Sequence, residues 1–257
     1  MTRVFITGAS SGIGAALARE YAAEGASLGL VGRRRDVLAA LAAQLPNPER
    51  HSIYVLDVTD HAALAAAAND FIDRHGGADI VIACAGVSGG TLTENLADQK
   101  AFDTILATNV SATAATFAPF IACMKTQATP RRLVGIGSVA GIRGLPGAGA
   151  YSASKAAVLC YCEALRLELG ASGIKVVTIA PGFIATPMTA DNAYPMPFLM
   201  PVQRFARAAV RSIARGDSYR VIPWQMGVVA KLLRVLPNWL YDLAFSRAPH
   251  KARKEQP

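Results

Sequence analysis

Tyr151 and Lys155 stand four residues apart, and Ser138 lies thirteen residues before the tyrosine. On a helix that spacing puts the phenol and the ammonium on one face, with about 6 Å of rise between them. An ammonium so close favours a tyrosinate and lowers the phenol from its reference pKa of about 10. That is the adjustment a phenol needs to exchange a proton near neutral pH. Ser138 closes an apolar, strand-like run, where its hydroxyl could help Tyr151 orient and polarise a carbonyl oxygen. Taken alone, a Tyr-x-x-x-Lys pair is more often an exposed helical pair.

A second group near the start changes that balance. Thr7-Gly8-Ala9-Ser10-Ser11-Gly12-Ile13-Gly14 falls where an apolar strand gives way to a helix. Gly8, Gly12 and Gly14 permit positive φ and let backbone N–H groups approach a pyrophosphate closely. The helix that follows adds its positive N-terminal end. A glycine triplet by itself could be an ordinary βα turn. At the head of an alternating chain, with the tyrosine–lysine pair behind it, it reads as a dinucleotide cradle, with Ser10, Ser11 and Ile13 beside the glycines.

The spacing is GxxxGxG, and here the chain resembles the short-chain dehydrogenase/reductase family. The resemblance covers roughly residues 3–187. It rests on the Thr7–Gly14 loop, Asp57-Val58, Ala85-Gly86, Asn109, Ser138, Tyr151 with Lys155, and Pro181-Gly182-Phe183-Ile184-Ala185-Thr186. It implies that Tyr151 is the general acid for carbonyl reduction and the base for alcohol oxidation. Lys155 would tune Tyr151 and anchor the nicotinamide ribose, Ser138 would bind the substrate oxygen, and Asn109 would hold a water linking Lys155 to solvent. Asp57 would bond the adenine amino group, with Val58 beside that ring, and Ala85-Gly86 would leave room for the adenosine ribose. Pro181, Gly182, Ile184 and Thr186 match the segment that holds the nicotinamide carboxamide. Family members often carry Asn-Ala-Gly where this chain has Cys84-Ala85-Gly86. The missing Asn removes one hydrogen bond, not the chemistry.

The end of the second strand separates the two nicotinamide cofactors. An NAD site places Asp or Glu there for the ribose 2′-hydroxyl, whereas an NADP site omits it and supplies Arg. This chain reads Leu30-Val31-Gly32-Arg33-Arg34-Arg35. A carboxylate would repel a 2′-phosphate, and a guanidinium forms charge-assisted bonds to it. Arg33, helped by Arg34, therefore predicts NADP(H), and Arg35 reads as a solvated basic side chain.

The elements that must position these groups are legible as alternation. Strand-like runs fall at 3–7, 26–32, 51–56, 79–84, 132–138, 174–180 and 218–222. Helix-like runs fall at 12–24, 36–45, 60–75, 98–126, 151–169 and 203–215. Asp79-Ile80-Val81-Ile82 and its like are apolar on both faces, as a parallel sheet covered on both sides requires. The expectation is a single α/β domain over 1–257, a doubly wound Rossmann fold with a seven-stranded parallel sheet and helices on both faces. Within it, 183–215 is expected to cover the substrate. Four prolines prevent one regular helix over 183–201.

Composition narrows the function classes. Net charge is +8, but no nucleic-acid motif accompanies it, and no nucleic-acid partner is expected. No run of 18 residues is purely apolar, which argues against a spanning helix, and the N-terminus lacks the order of a signal peptide. Cys84, Cys123, Cys160 and Cys162 lack metal spacing and read as reduced thiols, so a cytoplasmic location is expected. The apolar 183–201 stretch suggests a hydrophobic pocket wall and, with it, a hydrophobic carbonyl or alcohol as substrate. Residues 223–250 form an apolar extension that runs into a basic tail of Arg247, His250, Lys251, Arg253 and Lys254, and 252–257 are expected to be disordered. A peripheral membrane-surface helix would look like this, and so would a helix packed on the pocket or a subunit interface. The extension fits a plain 3-oxoacyl-carrier-protein reductase poorly, since those chains generally end soon after the last strand. By analogy with the family, helices 98–126 and 151–169 would form the face of a homo-dimer or homo-tetramer. The leading reading is an NADPH-dependent reductase. An alcohol or hydroxysteroid dehydrogenase working toward oxidation and a non-catalytic NADPH-sensing protein are the alternatives.

Overall fold

A computed structural model describes residues 1–190, 192 and 195–246. The basic tail from residue 247 onward, and the disorder expected at 252–257, lie outside the described residues.

Five βα units build most of the chain. They are β1 (Arg3–Thr7) and α1 (Gly12–Ala23), β2 (Ser27–Gly32) and α2 (Arg35–Gln44), and β3 (His51–Val55) and α3 (His61–His75). Then come β4 (Ile80–Ala83) with α4 (Gln99–Leu106) and α5 (Ala112–Thr126), and β5 (Arg132–Ile136) with α6 (Gly149–Glu168). After β6 (Lys175–Pro181) the prolines break the pattern into short pieces: β7 (Ile184–Ala185), α7 (Pro187–Ala190) and β8 (Met200–Pro201). There follow α8 (Val202–Arg215), β9 (Tyr219–Ile222), α9 (Trp224–Val235) and α10 (Asn238–Phe245).

Seven strands form one parallel sheet in the order β3-β2-β1-β4-β5-β6-β9. Side chains alternate across it. Val4 and Ile6 of β1 face α1 and α8, whereas Phe5 meets Phe71 and Phe120 on the opposite layer. The strand order reverses between β1 and β4. Ligands of open α/β sheets bind in the crevice at the carboxyl ends beside such a reversal.

One feature differs from the sequence expectation. The predicted helix 98–126 is interrupted by a π turn over Ala107–Ser111 between α4 and α5. The whole stretch Leu96–Thr126 is long and apolar enough to cross a bilayer by length and composition, although it contains no purely apolar run of 18 residues. Here it is a core helix: Phe117, Phe120 and Met124 are buried against the sheet and its neighbours. The 223–246 region, expected to break the alternation as an apolar extension, is two helices, α9 and α10.

Candidate active site

The glycine loop leaves β1 at the reversal point. Gly8 has φ of +70°, and a Cβ there would stand 2.8 Å from the Ala85 backbone. A Cβ on Gly14 would meet the Gly8 carbonyl. The loop is thus folded tightly onto the β4 exit, and only glycine fits at these two positions. Thr7 locks the same junction: its Oγ1 accepts from the N–H groups of Cys84 (3.1 Å) and Ala85 (3.3 Å). This supplies backbone support where the family's usual Asn is absent. At the start of α1 no side chain caps the helix and no acid stands in its first turn. Its first N–H groups therefore face the cleft with a positive helix end behind them, as an anionic pyrophosphate requires.

Next to the loop, Arg34 Nη2 donates to the Ser10 carbonyl (3.0 Å) and to Ser10 Oγ (3.2 Å). Arg33 Nη1 lies 3.4 Å from Asp57 Oδ2, with both side chains exposed to solvent. Burial alone would raise the Asp57 carboxyl, but the bonds from Thr59 and the Arg33 guanidinium outweigh it and hold the group below the usual carboxylate range. A Cβ on Gly32 would stand 3.2 Å from Ser10 Oγ. The place where a ribose-binding acid would sit is therefore filled from the side by Ser10.

The opposite end of the cleft is built by β5 and α6. Cβ atoms on Gly135 and Gly137 would run into Cys162 and Leu159 of α6, so the two glycines allow the helix to lie directly on the strand. That close approach carries Lys155 inward, where it is 7% exposed and its Nζ donates to the Ile136 carbonyl at 2.9 Å. Burial lowers the Lys155 pKa to about 8, and the nearby Cys84 and Cys162 thiols offset this only in part. Lys155 Nζ is 5.8 Å from the centre of the Tyr151 ring. Ser138 is buried at the end of β5, and its Oγ accepts from the Ala140 N–H at 3.1 Å. A hydroxyl that accepts there keeps its own proton to donate.

One cleft of about 700 Å³ joins the two ends. Its wall contains Gly8, Ser10, Ser11, Gly12, Ile13 and Gly14 from the loop, and Arg33, Arg34, Asp57, Val58, Ala85 and Gly86 from the neighbouring strand ends. It also contains Ser138, Tyr151, Lys155, Pro181, Gly182, Ile184 and Thr186. Asn109 is the exception. It is 1% exposed and lies behind the wall, with its Oδ1 accepting from the Val87 N–H (2.8 Å). Its Nδ2 donates to the Val87 carbonyl (3.0 Å) and to Ser154 Oγ (2.9 Å), and Ser154 Oγ donates to the Tyr151 carbonyl (2.7 Å). Asn109 thus ties the β4 exit to the helix that carries the tyrosine.

Sequence reasoning missed several wall residues: Leu56, Thr59, Val87, Thr104, Thr108 and Thr189. Thr59 carried a signal, since Asp-x-Thr is an Asx-turn spacing, and its N–H and hydroxyl both bond Asp57. Thr104 and Thr108 sit on α4 and the π turn, and nothing in their local sequence shows which way they face.

A parallel sheet with an uncapped helix end at its reversal point and a buried lysine beside a tyrosine defines a dinucleotide-dependent oxidoreductase. The family model described as short chain dehydrogenase matches residues 2–195, and the chain belongs to the short-chain dehydrogenase/reductase family. An uncharacterized oxidoreductase of Myxococcus xanthus is 39% identical over 244 residues, covering 94% of this chain and 95% of that protein. An 11-beta-hydroxysteroid dehydrogenase-like protein of Arabidopsis thaliana is 32% identical, over 94% of this chain and 81% of its own length. The crystal structure of a 3-ketoacyl-(acyl-carrier-protein) reductase from Brucella melitensis, complexed with NADH, has the same fold. It aligns at a TM-score of 0.79 over 86% of this chain and 96% of that one, at 24% identity.

Proposed function

We propose that the protein reduces the carbonyl of a hydrophobic ketone or aldehyde with NADPH, and reversibly oxidises the matching alcohol. The observation that carries this is the distribution of charge in the cleft. Among the described wall residues the charged side chains are Arg33, Arg34, Asp57 and Lys155. Three of them stand at the adenosine end and the fourth lies beside Tyr151, so none is left for a charged substrate. The uncharged wall includes Val87, Ile184, Pro187 and Met188, which suits an apolar carbonyl compound.

The residues fit the dinucleotide. The loop N–H groups would hold its pyrophosphate, and Arg33 with Arg34 its 2′-phosphate. Gly86 would leave space for a ribose, and Pro181 to Thr186 would border the nicotinamide. When bound, the nicotinamide supplies the hydride. Tyr151 then gives its phenolic proton to the carbonyl oxygen, Ser138 donates to the same oxygen, and the Lys155 ammonium stabilises the tyrosinate left behind. Asn109 acts in this scheme as a positioning residue, through Val87 and Ser154.

Similarity to the 11-beta-hydroxysteroid dehydrogenase-like protein of Arabidopsis favours one second reading, a hydroxysteroid-type dehydrogenase, which we take as working toward oxidation. A panel of hydrophobic ketones, aldehydes and alcohols, followed at the nicotinamide absorbance with each cofactor, tests both. Faster reduction with NADPH than with NADH supports the proposal. Turnover only with NAD⁺ and an alcohol overturns it. The outer face of α6, with Ala153, Ala156, Cys160, Ala164 and Leu167 exposed, suits a second copy of that helix, and we place the homo-oligomer contact there. Light scattering of the purified chain checks this.

A further inference from the structure

The hairpin α9–α10 presents a row of large apolar side chains to solvent. On α9, Trp224, Val228, Leu232 and Val235 are exposed, whereas Met226 and Ala230 are buried on the opposite face. At about 100° per residue the four exposed positions fall within roughly 80° of one another. On α10, Trp239 and Leu243 are exposed four residues apart, and Tyr241 is buried between them in sequence. Both tryptophans of the chain are in this set, at 67% and 68% exposure, and Leu243 is 75% exposed.

The inner side of the hairpin is held firmly. Arg143 donates to the carbonyls of Leu233 (3.2 Å) and Leu236 (3.0 Å) and to Asn238 Oδ1 (3.2 Å), and its guanidinium lies 4.2 Å over the Tyr241 ring. Tyr241 donates to the Gly144 carbonyl at 2.6 Å. The outward row is therefore a fixed surface, not a loose end awaiting burial in its own core.

We propose that this row docks on an anionic lipid bilayer. The charge around it is complementary to such a surface. Lys231 and Arg234 are exposed beside the row, with Asp242 the one acid on α10. Beyond Ser246 the sequence continues for eleven residues that carry Arg247, Lys251, Arg253 and Lys254 against Glu255 alone. A bulky apolar row with tryptophans and a basic surround is what an interfacial helix needs, since indoles favour the headgroup region and cations favour anionic lipid. A contact between copies would not need that basic surround, and α6 offers a flatter, small-residue face for it. Gly182 in the cleft wall packs against Met226 of α9. Docking would thus leave α9 between the cleft wall and the lipid in which a hydrophobic carbonyl dissolves.

Because both tryptophans lie in the row, their emission reports on it directly. The full chain is mixed with vesicles of phosphatidylcholine alone, or with about a third phosphatidylserine. Expected are co-sedimentation with the anionic vesicles, a blue shift of tryptophan emission, and about fivefold weaker binding for Lys231→Gln. The double variant Leu232→Glu, Leu243→Glu should keep the circular dichroism of the parent and bind more than about tenfold more weakly. No sedimentation and unchanged emission would sink the proposal. So would a blue shift that appears with protein concentration alone and tracks a dimer, which would assign the row to a second copy. Binding is read without turnover, so it stands or fails separately from the substrate reading.

Discussion

A phenol gives up its proton readily only where the charge left behind is held, and in this fold Lys155 is the residue that can hold it. Its burial has a cost that can be measured. The folded-state pKa of about 8 lies below the unfolded reference of about 10.4. Below pH 8 the lysine is charged in both states, and the folded chain bears the full desolvation cost, about 3 kcal/mol for a shift of that size. As pH rises from 8 toward 10.4 the folded state loses its proton first, and the cost disappears. Lys155→Met should therefore be inactive yet more stable than the parent at pH 7. That advantage should shrink by pH 10, as denaturant unfolding at the two pH values will show. Tyr151→Phe removes the proposed proton donor itself. Turnover should fall on the order of a hundred- to ten-thousand-fold while NADPH binding, followed by cofactor fluorescence, stays within a few-fold. At the other end of the cleft, Arg33→Ala should raise the KM for NADPH by about tenfold or more, the worth of one charge-assisted bond, and leave NADH nearly unchanged. An equal effect on both cofactors would mean that Arg33 serves the fold or the adenine rather than the 2′-phosphate.

At the scale of elements, the loop after Ser138 is gripped from outside by α9 and α10. Arg143 and Tyr241 close that grip, and Arg234 adds a bond to the Ile142 carbonyl at 3.3 Å. Arg143→Ala should lower stability by about 1–3 kcal/mol, because three carbonyl or amide acceptors and an aromatic face lose their partner together. It should also lower kcat more than it raises the KM for NADPH, since the displaced loop begins at Ser138, which we propose donates to the substrate oxygen. Thermal unfolding and steady-state kinetics separate the two effects. This grip was not legible in the sequence, where Arg143 is one basic residue in a Gly- and Pro-containing loop. The strands were legible because they are short apolar runs that no other element could bury; 3–7 was read to the residue. Helix 98–126 was read as continuous, since each of its turns is locally helical. Its π turn contains Asn109, whose partners Val87 and Ser154 are distant in sequence. The same distance hid Gly135 and Gly137, whose role as a seat for α6 appears only when strand and helix meet.

Over the whole molecule, the chemistry and the main polar fastener occupy opposite edges of one sheet. The cleft lies at the carboxyl ends of the strands. At the amino ends, Asp79 accepts from the Arg3 N–H (2.8 Å), from Arg3 Nε (3.0 Å) and Nη2 (2.7 Å), and from Thr129 Oγ1 (2.6 Å). Arg3 Nη1 also donates to the Gly76 carbonyl at 2.6 Å, so β1, β4, the end of α3 and the approach to β5 are joined at one point. Burial would raise the Asp79 carboxyl, but the bonds from Arg3 and Thr129 outweigh it and hold its pKa below the usual carboxylate range. A depressed carboxyl contributes stability that is fully present above its unfolded pKa of about 3.9, and that contribution is lost as pH falls through the lower folded value. Asp79→Asn leaves the half-buried Arg3 without its counter-charge and should cost about 1.5–3 kcal/mol at pH 7, the worth of hydrogen bonds to a charged group rather than of a fully buried pair. The gap between variant and parent should narrow as pH drops below about 4. Strand β1 is five residues long, which places this fastener roughly 16 Å from the glycine loop. The kcat per folded molecule should therefore stay within about twofold of the parent's at temperatures where the variant remains folded. A large fall in kcat with unchanged unfolding would mean that strain at the amino edge reaches the cleft, and that the two edges do not act separately.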